Sequence, residues 1–570
     1  MSKRPSHGIS DAAMLVALGI VASVAGLVWL WGGVAGMLFG HGWPRIGVGA
    51  LLGVLVRLPG RLADPALAWP EQVRAELPGP AGFYVGLVLL IAAGIAGGVL
   101  ANRAGAALRL GTRQPGARWA RSGELRSLGS RHRQGQSERG AGGRIVLGCH
   151  RGRSLQAEHR HALVAFGPPQ SGKSAGLAVP ALLEWQGPAV ASSIKTDLLA
   201  VTLRRRAALG EVLVFDPFEL SGVRSHTWSP LAGARTWDGA LETAWRLASA
   251  GEVDQRGVEG GDFWAIAAEQ RLAPLLYVAA RTEAKIDDVV RWAYGQGARE
   301  LHESLARIAG EADGDHELAQ AHAAYDAIRA FEAQADRTRS SIEATAQALL
   351  RAYRYSRVAR SAQSCEITAD RLLDGCCTVY LVGDAKASKL LRPIFLALLS
   401  EIVDRAYERA TLAGGRLELP LLLCLDEAGN VAPLPNLGEI ASTAPSHNIQ
   451  LISIFHDLAQ ARSRYGRQAE TVINSHRARM LLPGIADLET LRYFAGLVGE
   501  EEAREETRTT GPGGTTRSTA RRRRPLVAAE SLRQLPEGHA LLVYGRIAPT
   551  RLRLRLWFED RRLRSLAGAS

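Results

Sequence analysis

Gly167-Pro168-Pro169-Gln170-Ser171-Gly172-Lys173-Ser174 stands between an apolar run at residues 162–166 and a helix-forming stretch at 175–184. A glycine-rich turn from strand to helix aims backbone N–H groups at phosphate oxygens; its lysine reaches the β- and γ-phosphates and the following hydroxyl can hold Mg²⁺. These eight residues therefore predict a phosphate-binding loop, with Lys173 as the phosphate-contacting cation and Ser174 as a metal ligand. The cofactors implied are ATP and Mg²⁺.

A second apolar run, residues 419–425, is long enough for a buried parallel strand and delivers Asp426-Glu427 at its carboxyl end. In phosphoryl transfer these two carboxylates divide the work: Asp426 holds the metal and Glu427 polarises the attacking water. Leu412-Ala413-Gly414-Gly415 faintly resembles the signature of ABC transporters, but it lies too near Asp426 to leave room for the intervening helix. It is expected to be a glycine turn entering the strand.

At 570 residues the chain is long enough for two or three domains. Its five cysteines, including adjacent Cys376 and Cys377, show neither metal nor disulfide spacing, so they read as small buried hydrophobes in a reducing compartment. A formal charge of +13, carried mostly by arginine, suits a polyanion or an anionic membrane surface.

Residues 12–40 and 83–101 are each apolar enough and long enough to cross a hydrocarbon core. Lys3 and Arg4 precede the first; Arg103, Arg109, Arg113, Arg118, Arg121 and Arg126 follow the second. The basic flanks place both ends in the cytoplasm and residues 43–80 outside, as a short loop. The apolar stretch 46–56 within it is too short to span, and is expected at the interface or packed on the spans.

Composition divides the rest. Residues 1–102 form the transmembrane region, 103–143 an Arg-, Gly- and Ser-rich juxtamembrane linker, 144–231 and 356–570 a nucleotide-binding domain, and 232–355 an all-α insertion. Strands are expected at 145–147, 162–166, 188–194, 212–215, 377–382, 421–425 and 450–455, with a helix at 198–209. Alternation of strand and helix argues for a parallel sheet covered on both faces. Residues 500–524 are too polar to bury and are expected as a flexible loop or linker, with nucleic acid or lipid headgroups as candidate contacts. Residues 541–544 and 552–558 alternate like a closing hairpin.

In this order and spacing the parts resemble the type IV secretion coupling proteins, the TraG/TraD-like ATPases of conjugative DNA transfer. The smaller matches are Arg118-Trp119-Ala120, Lys195-Thr196-Asp197-Leu198, Asp216-Pro217, Trp228-Ser229-Pro230-Leu231, residues 431–437 (VAPLPNL), Asp457-Leu458-Ala459-Gln460, Tyr465-Gly466 and Ile473-Asn474. The resemblance implies a RecA-like P-loop fold, anchoring in the bacterial inner membrane and assembly as a homo-hexamer. Its implied role is to bring relaxase-bound single-stranded DNA, or protein substrates, to a type IV secretion channel and to power or license their transfer.

The family ends the strand after the Asp-Glu pair in a glutamine that senses the γ-phosphate. Here that place holds His456, with Gln460 four residues on. His456 is either the sensor or a strand cap, and both residues stand as candidate catalytic groups. No arginine occurs in Thr443-Ala444-Pro445-Ser446-His447, where some relatives carry a finger for the neighbouring subunit, which leaves Arg339, Arg351 and Arg392 as candidates. Two other functions compete: an FtsK-like DNA translocase, disfavoured by the long helical insertion, and a substrate-docking receptor that binds ATP with little turnover.

Overall fold

The computed structural model describes residues 11–110, 116–129, 143–255, 261–511 and 514–569. The chain divides into two compact units, Met1–Pro115 and Gly116–Ser570.

The first unit is a helical pair, Asp11–Phe39 and Pro80–Leu110, containing two stretches long and apolar enough to cross a membrane, Gly19–Phe39 and Pro80–Leu100. Glycines on the first helix admit the tryptophans of the intervening segment: a Cβ at Gly32 would lie 2.1 Å from the Trp69 ring, and one at Gly33 2.2 Å from that of Trp43. Trp31 Nε1 donates to Phe83 O across 2.7 Å, tying the pair together. The short helix Val48–Arg57 buries Val54 in this cluster and leaves Val48, Leu52 and Val56 exposed.

The second unit is built on an eleven-stranded sheet. Its strands are β1 (Val146–His150), β2 (Arg153–Gln156), β3 (Leu163–Phe166), β4 (Ala189–Ser193), β5 (Val212–Phe215), β6 (Thr378–Val382), β7 (Leu421–Leu425), β8 (Ile449–Phe455), β9 (Ala478–Leu481), β12 (His539–Tyr544) and β13 (Ile547–Arg553). The spatial order is β2-β1-β13-β12-β9-β3-β8-β7-β4-β6-β5. From β9 to β5 neighbouring strands run parallel, and the remaining four extend the sheet antiparallel. Side chains alternate between two cores: Val164 and Phe166 of β3 enter one, Leu163 and Ala165 the other. Apolar residues on both faces of a strand are what parallel sheets covered by helices require.

Between β5 and β6 the described residues form helices and turns, among them Trp237–Gln255, Gly261–Arg281, Ile286–Ala293, Ala298–Gly310, Asp315–Glu332 and Asp336–Leu350. Leu272, Leu275 and Leu276 share one core with the sheet and with the long helix Ala385–Leu412. These helices therefore pack on the sheet through a continuous apolar interior.

Three expectations need correction. Residues 500–524, expected as a flexible loop or linker, form a separate two-stranded antiparallel ribbon of β10 (Glu500–Gly511) and β11 (Gly514–Pro525). Ladder hydrogen bonds organise it where composition offers no apolar face. In the closing hairpin the second strand is Ile547–Arg553; residues 554–558 leave the ladder, since Trp557 N–H donates instead to Ala175 O across 3.1 Å. Of the expected linker 103–143, residues 103–110 continue the second long helix, and 116–129 pack on the sheet with Leu125 and Leu128 buried. Residues 111–115 and 130–142 lie outside the described residues.

Candidate nucleotide site

The loop 167–174 leaves the carboxyl end of β3, where Gly167 N–H donates to Phe455 O of neighbouring β8 across 3.0 Å. Gly167 leaves little room for a side chain: a Cβ there would lie 2.4 Å from Ser171 Oγ and 3.1 Å from Leu482 Cβ. Gln170 (φ 66°) and Gly172 (φ 85°) both adopt left-handed backbone, folding the loop back on itself. Pro169 and Gln170 are exposed at its tip, Pro168 is half-buried, and Ser171 is buried.

The helix that follows opens with one wide turn, Ser174–Ala178, in which Val179 N–H reaches back to Ser174 O. Pro180 has no N–H to give Gly176 O, and a π-type turn ahead of it absorbs the missing bond. A segment remote in sequence braces this helix. Leu554 and Leu556 lie against Gly172 and Gly176, and Arg555 bridges Glu184 and Asp560 at 2.8 Å each, with Arg555 and Glu184 largely buried. This brace carries no motif, and sequence analysis missed it.

Strand β7 delivers the acidic pair beside β8, so Asp426-Glu427 and the loop lie one strand apart on the same carboxyl edge. Ser174 Oγ donates to Asp426 Oδ2 across 2.5 Å. Asp426 Oδ1 is buried with no hydrogen-bond partner, an unsatisfied acceptor that fits a cation and its water shell. Burial pushes the Asp426 carboxyl up to about 6, against the pull of the Ser174 hydrogen bond and of Lys173.

Glu427 sits at φ 62°, a left-handed position unusual for a residue with a side chain and a common form of strain at functional sites. Its carboxylate lies 3.5 Å from Lys173 Nζ, accepts from Asn430 Nδ2 at 3.2 Å and is 3.8 Å from His456 Nε2. Lys173 Nζ also lies 2.9 Å from His456 Nδ1. Burial lowers the pKa of Lys173, while Glu427 and Asp426 pull the other way. Four of the expected site residues, Lys173, Ser174, Asp426 and Glu427, thus converge with His456 at the end of β8. Asn430, also a partner of Glu427, was missed as a site residue because its part is fixed only by the turn.

The family model described as Type IV secretory system Conjugative DNA transfer matches residues 118–569. The chain belongs to this family. Conjugal transfer protein TraG of Escherichia coli is 26% identical over 406 residues, which cover 66% of this chain and 61% of that protein. Protein VirD4 of Agrobacterium fabrum is 22% identical over 497 residues, covering 85% and 71%. The chain spans about three fifths of the TraG relative's length. Among solved structures, the unbound monoclinic form of the bacterial conjugative coupling protein TrwB covers 71% of this chain and 87% of its own, at TM-score 0.55 and 18% identity. Plasmid coupling protein TrwB in complex with ADP and Mg²⁺ covers 77% and 94%, at TM-score 0.56 and 16% identity. The fold shared with them is a RecA-like P-loop α/β fold.

In this member of the Type IV conjugative DNA transfer family the remaining expected residues separate. The Gln460 amide oxygen accepts from His456 N–H at 2.7 Å, so Gln460 caps the strand end and packs beside Gly429. It holds the backbone under His456, and Asp457 accepts from Gln460 N–H at 2.7 Å to start the next helix, Leu458–Tyr465. Of the arginine candidates, Arg392 is only 3% exposed inside a long helix and does not present its side chain at the surface. Arg339 pairs with Asp336 at 2.6 Å, and Arg351 is exposed in the turn after helix Asp336–Leu350.

Proposed function

We propose that this family member is an ATPase, anchored in the bacterial inner membrane by its two apolar helices, that brings substrate to a type IV secretion channel and drives or licenses its passage. The observation that supports it most is the contact of Ser174 with Asp426, which joins a phosphate-binding loop to a metal-binding carboxylate. Bound ATP would bring the phosphoanhydride to be cleaved, and Mg²⁺ would offset its charge. Lys173 would contact the β- and γ-phosphates, Ser174 and Asp426 would hold the metal, and Glu427 would orient and polarise the attacking water. His456, beside Lys173 and Glu427, would serve as a hydrogen-bond donor to the γ-phosphate or to the attacking water.

The substrate class proposed is single-stranded DNA, bound without sequence preference, or a relaxase or other secreted protein. The assembly proposed is a homo-hexamer with both termini cytoplasmic. Steady-state ATP hydrolysis by the purified protein, with and without single-stranded DNA, tests the reading. Turnover that DNA stimulates supports the motor; undetectable turnover in both conditions replaces it with a docking receptor.

A further inference from the structure

The ribbon β10–β11 is not part of the main sheet, and its two strands of 12 residues each extend roughly 40 Å. It is rooted by Ala117 N–H donating to Glu500 O across 2.7 Å and Leu526 N–H donating to Gly499 O across 2.9 Å. Ser518, Thr519 and Ala520 are all exposed, so neither face is covered there. A free two-stranded ribbon with no apolar face is marginally stable, which poses the question of what it is for.

Its register answers through charge. By register, Arg504, Arg508, Arg517, Arg521 and Arg523 fall on one face of the ladder, with Glu500, Glu502 and Glu506 as that face's acids, an excess of two positive charges. Arg504 stands directly opposite Arg521, and Arg508 opposite Arg517. The register therefore gives this face a net positive charge, which a polyanion would offset. The other face is balanced: it carries Arg522 and Arg524 against Glu501 and Glu505, with Arg524 and Glu501 paired at 2.8 Å. Arg521 and Arg523 are exposed and make no ion pair among the described residues.

We propose that the ribbon is an arm that binds duplex DNA through its phosphate backbone. Two features favour duplex over single strands. A two-stranded β-ribbon fits the major groove. Residues 500–525 contain no aromatic side chain on which unpaired bases could stack. Arginines that meet phosphates carry no sequence information, so an arm held by the phosphate backbone is indifferent to sequence. The inference does not depend on ATP turnover, and it adds a duplex contact to the single-stranded substrate proposed above.

The test uses the full chain in phosphatidylcholine nanodiscs and a fluorescent 25-base-pair duplex of arbitrary sequence. R521S/R523S should weaken duplex binding about tenfold and flatten the plot of log affinity against log salt by roughly two units. R522S/R524S, on the balanced face, should change affinity less than threefold. Replacing residues 501–524 by a two-glycine turn should remove the salt-dependent duplex binding while ATP hydrolysis and the thermal transition stay as in the parent. Equal losses from both arginine pairs, or unchanged duplex affinity after excision, overturn the proposal. So does a loss that shows only as weaker association with added phosphatidylglycerol vesicles, which assigns the arm to a lipid surface.

Discussion

Lys173 Nζ stands 2.9 Å from His456 Nδ1, which joins the phosphate-binding loop to the end of the neighbouring strand β8. A lysine ammonium can only donate, so with Lys173 charged the imidazole accepts at Nδ1 and carries its N–H on Nε2. Nε2 is 3.8 Å from Glu427, so the same ring faces both the Lys173 ammonium and the Glu427 carboxylate. His456→Ala should lower kcat for ATP about 10- to 100-fold with nucleotide affinity changed less than threefold, since a donor needed chiefly in the transition state is lost. His456→Gln, which restores a side-chain amide, should recover most of the rate. Equal rates for wild type and His456→Ala would return His456 to the part of a strand cap.

Glu427 and Asp426 should fail differently. Glu427→Gln keeps its size and its place beside Asn430 but loses the charge that orients water, so turnover should fall roughly 10²–10⁴-fold while ATP affinity persists. Asp426→Asn should instead weaken Mg²⁺-dependent nucleotide binding. Lys173→Ala should abolish turnover with the thermal transition unchanged. Titrations with a fluorescent ATP analogue, run beside phosphate release, separate the three outcomes.

The segment between the two apolar helices offers a direct test of orientation. Ala68 is fully buried against the Trp69 cluster and would not react, whereas Ala63 is exposed. A cysteine at Ala63 should be labelled by a membrane-impermeant maleimide added to intact cells, and a cysteine at Arg121 only after the membrane is opened. The opposite pattern reverses the proposed topology.

His476 sets an acid limit on stability. It is fully buried between Val472 O at 2.7 Å and Ser453 Oγ at 3.0 Å, and burial pushes its pKa down to about 4. The unfolded chain binds its proton near pH 6.5 and the folded chain only near 4, so folding stability is complete above 6.5 and is lost as pH falls toward 4. The loss should approach about 3 kcal/mol for this residue. Chemical denaturation at pH 7.5 and pH 4.5 should show a smaller difference for His476→Gln than for the parent; an equal difference would assign the acid sensitivity elsewhere.

The phosphate loop was legible because its chemistry is local: eight consecutive residues set the turn, the glycine positions and the cation. The acidic pair was legible for a related reason, since an apolar run of strand length announces where its two carboxylates emerge. Family membership likewise rests on the order of short motifs along the chain. The two long apolar helices were read from length and hydropathy, properties that belong to a segment by itself.

Tertiary structure alone decided what depends on neighbours. That β8 lies between β3 and β7, and so brings His456 to Lys173, follows from strand order, which no single segment encodes. The left-handed turn at Glu427 and the Asn430 contact arise from how β7 ends against β8. The ribbon was misread because its sequence offers no apolar face: its order comes from cross-strand pairing, and pairing is invisible in composition. Residues 554–558 alternate like a strand, yet they leave the ladder because Gly172 and Gly176 open a place for Leu554 and Leu556 and because Ala175 O accepts the Trp557 N–H. A contact between positions almost four hundred residues apart is fixed by packing, and only the folded chain brings its two halves together.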